Sequence, residues 1–269
     1  MSALPLVGRV ALVTGAAGGI GAATCAALAA AGADVALNDL HVSPRLNETA
    51  AQVRSRGRRA LPVLADVADQ NAVEAMVAGV VAELGRIDIL VTTAVYSDRE
   101  PFTTGDMAGF RKTMDVSLWG SFFALRAVAN RMLKQGTGGA IVVVSSPHAH
   151  VAFPNCMAYN MAKAAQDQMA RTASIELFSN RIRVNLVHPG WTDTPGEDRI
   201  MKTYHNAQDG WLGEAEKKLP FGRLLKVDEI SRAVAYLATE ESGLMTGSII
   251  DFDQQVLGCA ESAPQPPPL

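Results

Sequence analysis

Residues 10–21 read Val-Ala-Leu-Val-Thr-Gly-Ala-Ala-Gly-Gly-Ile-Gly, an apolar run that passes directly into a glycine-rich turn. Residues 10–13 are apolar and rich in β-branched side chains, which predicts a buried strand. Residues 22–31 form an alanine-rich run ended by Gly32, which predicts a helix. A turn of this kind presents the free amides of a helix start to an anion such as a pyrophosphate. The stretch therefore predicts a dinucleotide-binding turn.

Three glycines of this turn have separate tasks. Gly15 permits the tight turn, Gly19 lets the backbone approach a ligand, and Gly21 allows the helix to pack near the strand. Ile20, where the helix opens, is included among the predicted cofactor contacts. A glycine cluster alone is often only a structural turn, so the prediction depends on its place between the first strand and the first helix.

An acidic residue ends the second predicted strand. Asp39 can accept hydrogen bonds from both hydroxyls of an adenosine ribose, and it would repel a 2′-phosphate. No arginine occurs in residues 16–19. Leu40 follows the carboxylate directly and is also predicted to contact the cofactor. These features favour NAD over NADP, while a helix or turn cap at Asp39 is the structural alternative.

Strands and helices alternate along the rest of the chain. The apolar runs are continuous rather than alternating, which is typical of a parallel sheet covered by helices on both faces. Further strands are predicted at about 34–39, 60–64, 87–91, 140–144, 181–187 and 248–252, and further helices at about 45–56, 72–84, 107–133, 156–178 and 228–238. We expect an α/β fold with a doubly wound parallel sheet of about seven strands, formed by residues 1–259 as one domain. Residues 194–219 are polar and predict an irregular, mobile segment that closes over substrate, and the proline-rich tail 260–269 predicts disorder.

Composition excludes several classes of protein. The chain has 269 residues, of which 48% are hydrophobic and 19% charged, so a packed core is expected. The net charge of −3 gives no reason to expect a nucleic-acid partner. Three widely spaced cysteines support neither a disulfide framework nor a metal site, which fits a reducing, cytoplasmic location. No apolar stretch reaches the ~18 residues of a membrane span, so no such span is expected. The expected partner is a small-molecule substrate.

A tyrosine and a lysine stand four residues apart in a predicted helix. Tyr159 and Lys163 therefore project from one helix face, where an ammonium would stabilise a phenolate and lower the pKa of the tyrosine. Together with the turn at 14–21 and with Ser146 at the end of the fifth strand, this pair resembles the short-chain dehydrogenase/reductase family. The resemblance extends over residues 7–252 and implies a Rossmann fold.

The resemblance also implies residue roles. Tyr159 would be the general acid/base toward the substrate oxygen, and Lys163 would hold the nicotinamide ribose as well as lowering the pKa of the tyrosine. Ser146 would bind the substrate oxygen, and Ser145 is the less favoured candidate. Further cofactor contacts would come from the segments that follow the other strands: Asp66, Val67, Thr93, Pro189, Gly190, Thr192 and Thr194.

Three departures from the family pattern stand in this sequence. Thr92-Thr93-Ala94-Val95 replaces Asn-Asn-Ala-Gly after the fourth strand, and Val95 cannot adopt a glycine-only backbone angle. Ser117 replaces an asparagine whose main-chain carbonyl serves the family's proton relay; a carbonyl does not depend on the side chain, so Ser117 is kept among the catalytic candidates. Gln254-Gln255 replaces Gly-Gly after the last strand, either to touch substrate or as an altered surface turn.

Polar and aromatic side chains are expected to form the substrate site. His148, Asn155 and Trp191 are the main candidates, and the same region contributes His150, Met157 and His205. These residue types favour a sugar, a polyol or another polar substrate.

Three functional interpretations stay open. The first is an NAD-dependent dehydrogenase that moves a hydride between a nicotinamide ring and a secondary alcohol or ketone. The second is an NADP-dependent carbonyl reductase of the same fold, and the third is a nucleotide-binding scaffold without catalysis. The resemblance also implies a homotetramer or homodimer formed through the helices at 107–133 and 156–178.

Overall fold

Seven parallel strands form one sheet in the computed structural model, which describes residues 4–255. They are β1 Val10–Thr14, β2 Asp34–Asp39, β3 Ala60–Leu64, β4 Ile89–Thr92, β5 Gly139–Val144, β6 Ile182–Pro189 and β7 Ile249–Phe252. The strands lie in the order β3-β2-β1-β4-β5-β6-β7, and every neighbouring pair is parallel. The predicted α/β fold with one parallel sheet is therefore confirmed. The predicted tail at 260–269 lies outside the described residues.

Helices cover both faces of this sheet. Within the described residues they are α1 Gly19–Ala30, α2 Pro44–Arg54, α3 Gln70–Leu84, α4 Met107–Thr113, α5 Gly120–Gln135, α6 Met157–Leu177, α7 Pro195–Tyr204, α8 Trp211–Glu216 and α9 Val227–Ala238. None of the helices in this part of the chain is long and apolar enough to cross a membrane.

The central strand β1 divides its side chains between two apolar cores. Val10 and Leu12 pack with α3, α5 and α6, while Ala11 and Val13 pack with α1, α2 and α9. Successive side chains of a strand point to opposite faces, so a strand buried on both sides must be apolar throughout. This requirement explains the uninterrupted apolar runs of the sequence.

The order of the strands also places the site. The chain runs outward from β1 to β3 and then returns to β4 on the other side of β1, so the crossover direction reverses between β1 and β4. Open parallel sheets bind ligands at the carboxyl ends of the strands beside such a reversal. The glycine-rich turn after β1 and residues 93–95 after β4 both lie there.

Two predicted segments differ from the structure. The single helix predicted at 107–133 is divided into α4, a π-helical turn at Met114–Trp119, and α5. The irregular segment predicted at 194–219 contains α7 and α8, so that prediction was wrong in its secondary structure. Thr194 caps α7 through its hydroxyl, which accepts from the Glu197 amide at 3.0 Å, and Pro195 occupies the first turn. These local capping signals outweigh the polar composition of the segment.

Candidate active site

The glycine-rich turn after β1 packs against the loop after β4. Gly15 and Gly19 have φ angles of +69° and +53°, in the left-handed region that favours glycine. A Cβ on Gly15 would lie 2.9 Å from the Ala94 backbone. A Cβ on Gly21 would collide with the Gly15 carbonyl and lie 2.6 Å from the Thr93 hydroxyl. The predicted tasks of Gly15 and Gly21 thus have a steric basis.

Threonines hold the loop after β4 in place of the asparagines of the family pattern. Thr93 donates its hydroxyl to the Thr14 carbonyl, and its amide donates to the Thr14 hydroxyl at 3.2 Å. Val95 is half-exposed and is not among the described non-glycine residues with positive φ. The loop therefore follows a path that does not require glycine at this position.

Asp39 lies at the carboxyl end of β2, directly beside the glycine-rich turn. Its carboxylate accepts from the Ala17 amide at 3.0 Å and from the Leu40 amide at 2.8 Å. These bonds are the ones that the alternative of a turn cap requires. A carboxylate has about four acceptor positions, so capacity remains for the two hydroxyls of a ribose. The geometry accommodates both interpretations at once.

The remaining adenine-side candidates differ in exposure. Asp66 is exposed and accepts from the Ala68 amide at 2.9 Å. Val67 is buried, and its side chain lies where a Cβ on Gly120 would need space. Ile20 is partly buried against the core that contains α1.

Ser146, Tyr159 and Lys163 come together at the ends of β5 and α6. Burial raises the pKa of Tyr159 to about 12, and hydrogen bonding by Ser146 offsets part of this rise. The Lys163 ammonium lies 5.5 Å from the centre of the Tyr159 ring. It donates to the Val144 carbonyl at 2.9 Å and to Gln166 Oε1 at 3.0 Å. Burial of the phenol thus works against the lowering of its pKa that the sequence leads us to expect from Lys163.

Burial also changes the lysine itself. It lowers the pKa of Lys163 to about 7, and the nearby charge of Asp167 offsets part of that change. The hydroxyl of Ser145, the less favoured serine, donates to the Lys163 carbonyl at 3.3 Å. Ser145 therefore anchors α6, and Ser146 is the serine that reaches the tyrosine.

Gln166 is a buried polar residue of this site that sequence reasoning missed. Its side-chain amide donates to the Ser117 carbonyl and to the Ser121 hydroxyl, while its oxygen accepts from Lys163. Gln166 thus connects Lys163 to the Ser117 carbonyl without an intervening molecule. The signal that could have revealed it is its spacing, because Lys163 and Gln166 lie at i and i+3 on one helix face.

Ser117 lies in the π-helical turn between α4 and α5. Its hydroxyl donates to the Tyr96 carbonyl at 2.7 Å and accepts from the Tyr96 amide at 3.1 Å. π-helical turns occur often at functional sites. The side chain of Ser117 therefore fixes the loop after β4, and its carbonyl faces Gln166.

His148 is the substrate candidate that the structure brings beside Tyr159. The two rings meet edge to face, with centroids 4.9 Å apart. His148 Nδ1 lies 2.7 Å from Asn160 Oδ1, and the Asn160 amide donates to the Phe153 carbonyl at 3.0 Å. Burial lowers the pKa of His148 to about 4, so the imidazole is neutral at physiological pH. With Nδ1–H donating to Asn160, Nε2 is an acceptor.

His150 does not join His148 at this site. His150 Nε2 lies 3.5 Å from the Asp167 carboxylate, and the buried His188 lies 3.0 Å from the same carboxylate. Asp251 binds the other ring nitrogen of His188 at 3.1 Å. His150, Asp167 and His188 bring potential metal ligands within 4.8 Å of one another, and the absence of a metal stays a prediction.

Trp191 belongs to a contact between the segment after β6 and α8. Its indole donates to Glu197 at 2.8 Å, and its ring stacks on Trp211 with centroids 6.0 Å apart. The other candidates are Asn155, Met157 and His205, all of which are exposed. Asn155 has a φ of +59° in the loop before α6, and His205 follows α7.

The segment after β6 closes toward the glycine-rich turn. Pro189 ends β6, and a Cβ on Gly190 would meet the Asp253 carboxyl group. The Thr192 hydroxyl donates to the Gly190 carbonyl at 2.8 Å. The Thr194 methyl lies 3.5 Å from the position of a Cβ on Gly19. The two predicted cofactor segments are therefore neighbours in space.

Gln254 contacts the chain itself. Its side chain accepts from the Phe221 amide at 3.0 Å and donates to the Arg223 carbonyl at 2.6 Å. These bonds favour the altered surface turn over a substrate contact for Gln254. Gln255 is exposed.

Known proteins resemble this chain over nearly its whole length. A family model described as enoyl-(acyl carrier protein) reductase matches residues 15–254. The chain is 35% identical over 249 residues to the cis-4-hydroxycyclohexanecarboxylate dehydrogenase of Sinomonas cyclohexanicum, covering 91% of this chain and 95% of that relative. It is 36% identical over 249 residues to the D-threitol dehydrogenase of Mycolicibacterium smegmatis, covering 92% of each chain. A solved structure of NAD+-bound xylitol dehydrogenase matches with a TM-score of 0.84 at 30% identity, covering 91% of this chain and 98% of that chain.

Proposed function

We propose that NAD is the hydride acceptor of this chain and that a polar secondary alcohol is its substrate. The chain belongs to the short-chain dehydrogenase/reductase family and is an oxidoreductase of CH–OH groups. One observation carries the proposal. Ser146, Tyr159 and Lys163 come together at the carboxyl-end side of the sheet, where the glycine-rich turn after β1 packs against the loop after β4.

The residues present fit a nicotinamide cofactor. A Cβ on Gly18 would meet no described atom within 4 Å, so the turn is open there, and the α1 amides begin at this point. Thr194, across from Gly19, and Lys163 would hold the nicotinamide end. When bound, the oxidised ring supplies an acceptor for the hydride that leaves the carbinol carbon.

The chain's own residues would manage the proton. Ser146 would hold the substrate oxygen, and Tyr159 would take its proton during oxidation or return it during reduction. Lys163 would stabilise the phenolate form, and Gln166 would act as a positioning residue that holds the lysine from the side of Ser117. The intact set of Ser146, Tyr159 and Lys163 opposes the non-catalytic alternative.

The choice of NAD depends on Asp39. The negative charge of a 2′-phosphate would lie beside the Asp39 carboxylate, which would repel it. The two nearest amides already donate to this carboxylate. The alternative of an NADP-dependent reductase would require Asp39 to move away.

A polar substrate is supported by the neutral imidazole of His148 beside Tyr159. Its free acceptor can bind a second hydroxyl of a sugar or polyol. The names of two similar proteins, D-threitol dehydrogenase and xylitol dehydrogenase, agree with a polyol.

The first experiment follows absorbance of the reduced nicotinamide with NAD and then NADP across polyols, sugars, hydroxy acids and sterols. We expect turnover with NAD, and we expect Tyr159→Phe to lose about 100-fold or more of it while NAD binding persists. Tyr236→Phe, on the outer side of α9, is the matched control and should retain full activity. Measurable NAD binding without turnover of any alcohol would favour the interpretation of the chain as a non-catalytic scaffold.

A second variant tests the cofactor preference. Asp39→Ser removes the carboxylate, so the ratio of kcat/KM for NADP to that for NAD should rise about tenfold, equivalent to about 1.4 kcal/mol. An unchanged ratio would leave Asp39 with the turn-capping role alone.

A further inference from the structure

Arg99 is a half-buried cation whose charge has no counterion among the described residues. It lies in the loop between β4 and α4, and its Nη1 donates to the Cys156 thiol at 3.4 Å. Its Nε is buried and has no hydrogen-bond partner in the described part of the chain. Within residues 4–255, no carboxylate oxygen lies within 4.0 Å of this guanidinium.

The acidic neighbours of Arg99 in sequence are engaged elsewhere. Asp98 accepts from the Tyr204 hydroxyl at 2.9 Å, and Glu100 accepts from the Asp106 amide. A guanidinium removed from water is costly unless a hydrogen-bonded anion joins it. Its planar fork of N–H donors matches a carboxylate, which it can bind through two parallel hydrogen bonds.

The position of Arg99 connects it to the reacting centre. Its partner Cys156 precedes α6 and stands one helical turn before Tyr159. No side chain caps this end of α6, so the helix start adds its own positive partial charge. The charge of Arg99 also lowers the pKa values of Tyr159 and His148.

The charge of one carboxylate, that of Glu197, also acts on two of these residues. Glu197 raises the pKa values of Tyr159 and Cys156, but its side chain is held by the Trp191 indole at 2.8 Å. A substrate would thus meet the Arg99 cation on one side and, on the other, the Glu197 carboxylate, an acceptor suited to a hydroxyl.

We propose that Arg99 binds a carboxylate of the substrate, so that the alcohol oxidised at Tyr159 and Ser146 is a hydroxy acid. The inference rests on the proposed function and narrows its substrate class. The carboxylate would displace the weak contact between Arg99 and the Cys156 thiol and satisfy the buried Nε. The carbinol would lie toward Tyr159, and any further hydroxyl would reach His148 or Glu197.

The test compares matched substrate pairs that differ only in charge. Each of 3-hydroxybutyrate, 4-hydroxypentanoate and 4-hydroxycyclohexanecarboxylate is assayed beside its uncharged primary amide, with NAD held constant. For the acid whose length fits the site, we expect kcat/KM to exceed that of its amide by roughly 10- to 100-fold, the range of a charge-assisted hydrogen bond. Equal values for acid and amide in every pair would overturn the proposal.

Variants then assign the preference to this side chain. Arg99→Gln should raise KM for the preferred acid roughly 10- to 100-fold and leave kcat/KM for its amide and KM for NAD within about twofold. Arg99→Lys should recover part of the preference, because an ammonium keeps the charge without the fork. Arg56→Gln, at an exposed position outside the site and outside residues 107–133 and 156–178, is the matched control and should behave like the unmodified protein.

Failure of this inference is distinguishable from failure of the proposed function. Turnover of neutral alcohols without preference for acids, or an equal loss of acid and amide activity in Arg99→Gln, contradicts the role of Arg99 only. Absence of turnover with every alcohol contradicts the proposed function. A direct readout is quenching of tryptophan fluorescence by the keto acid product, since Trp191 borders the site; we expect Arg99→Gln to abolish it.

Discussion

At the scale of single residues, burial decides the chemistry of the site. Lys163 is buried and Tyr159 is partly buried, and burial shifts the pKa of each toward its neutral form, to about 12 for the phenol and about 7 for the ammonium. Desolvation always disfavours the charged form, so it opposes the ion pair that their spacing predicts. Neighbouring polar groups must therefore hold the lysine in place.

Gln166 is the neighbour whose loss should be most informative. Gln166→Leu removes one of the two acceptors of the Lys163 ammonium and one of the two side-chain donors to the Ser117 carbonyl, the other being the Ser121 hydroxyl. We expect kcat to fall by about tenfold and the free energy of unfolding by about 1–3 kcal/mol, with KM for NAD unchanged. Steady-state kinetics and chemical denaturation measure these values.

Gln168→Leu, on the exposed side of the same helix, provides the comparison. A similar fall in kcat for both variants would show that the effect belongs to α6 in general. An unchanged kcat for Gln166→Leu would remove this residue from the proposed machinery.

The raised pKa of Tyr159 predicts the direction of the pH dependence. Oxidation needs the phenolate, which is the minor form below a pKa of about 12. We therefore expect kcat/KM for oxidation to increase with pH between about pH 7 and pH 10, while reduction, which uses the protonated form, shows no such rise. Ser146→Ala removes a hydrogen bond that lowers this pKa, so its profile should move to higher pH. Oxidation that is independent of pH over this range would contradict Tyr159 as the base.

At the scale of elements, the segment after β6 is the part of the site that local patterns describe least well. α7 and α8 are held by the stacking of Trp191 on Trp211 and by the bond from the Trp211 indole to Asp198 at 2.8 Å. Neither helix is long enough to be stable alone, so tertiary contacts decide whether they form. We therefore expect the segment to open and close as a unit.

Hydrogen exchange tests this motion. We expect amides in residues 195–219 to gain protection when cofactor and substrate are both bound, because closure buries them. Trp211→Ala should reduce protection in this segment and raise KM for substrate, whereas Leu244→Ala, at an exposed position elsewhere, should not. Equal protection with and without ligands would contradict a closing lid.

At the scale of the whole molecule, apolar side chains on α5, on α6 and in the turn that follows α6 remain exposed. Ile175 is 80% exposed, and Leu133, Met161 and Phe178 are also accessible. Apolar surface on two neighbouring helices often marks a protein interface. It supports the homodimer or homotetramer that we propose for this chain.

Light scattering tests the oligomeric state. We expect a mass of two or four times 28.4 kDa for the unmodified protein. Ile175→Arg places a charge on the proposed interface and should lower this mass, while Leu244→Arg, at an equally exposed position outside α5 and α6, should not. A monomer at all protein concentrations would contradict the proposal.

Local patterns determined the sheet, the glycine-rich turn and the pairing of Tyr159 with Lys163. Their spacing constraints operate over a few residues: a buried strand must be apolar, Gly15 must turn with positive φ, and residues four apart share a helix face. The strands predicted at 34–39 and 60–64 accordingly match β2 and β3 residue for residue.

Only the tertiary structure decided which distant residues complete the site. Gln166 meets Ser117 across 49 positions of sequence, Arg99 meets Cys156 across 57, and His150 lies by Asp167 instead of beside His148. These contacts arise where helices and loops pack at the ends of the strands, and their energies depend on burial. Burial is a property of the folded molecule as a whole. It therefore sets the direction of the pKa shifts of Tyr159 and Lys163, and among the described residues it leaves the Nε of Arg99 without a hydrogen-bond partner.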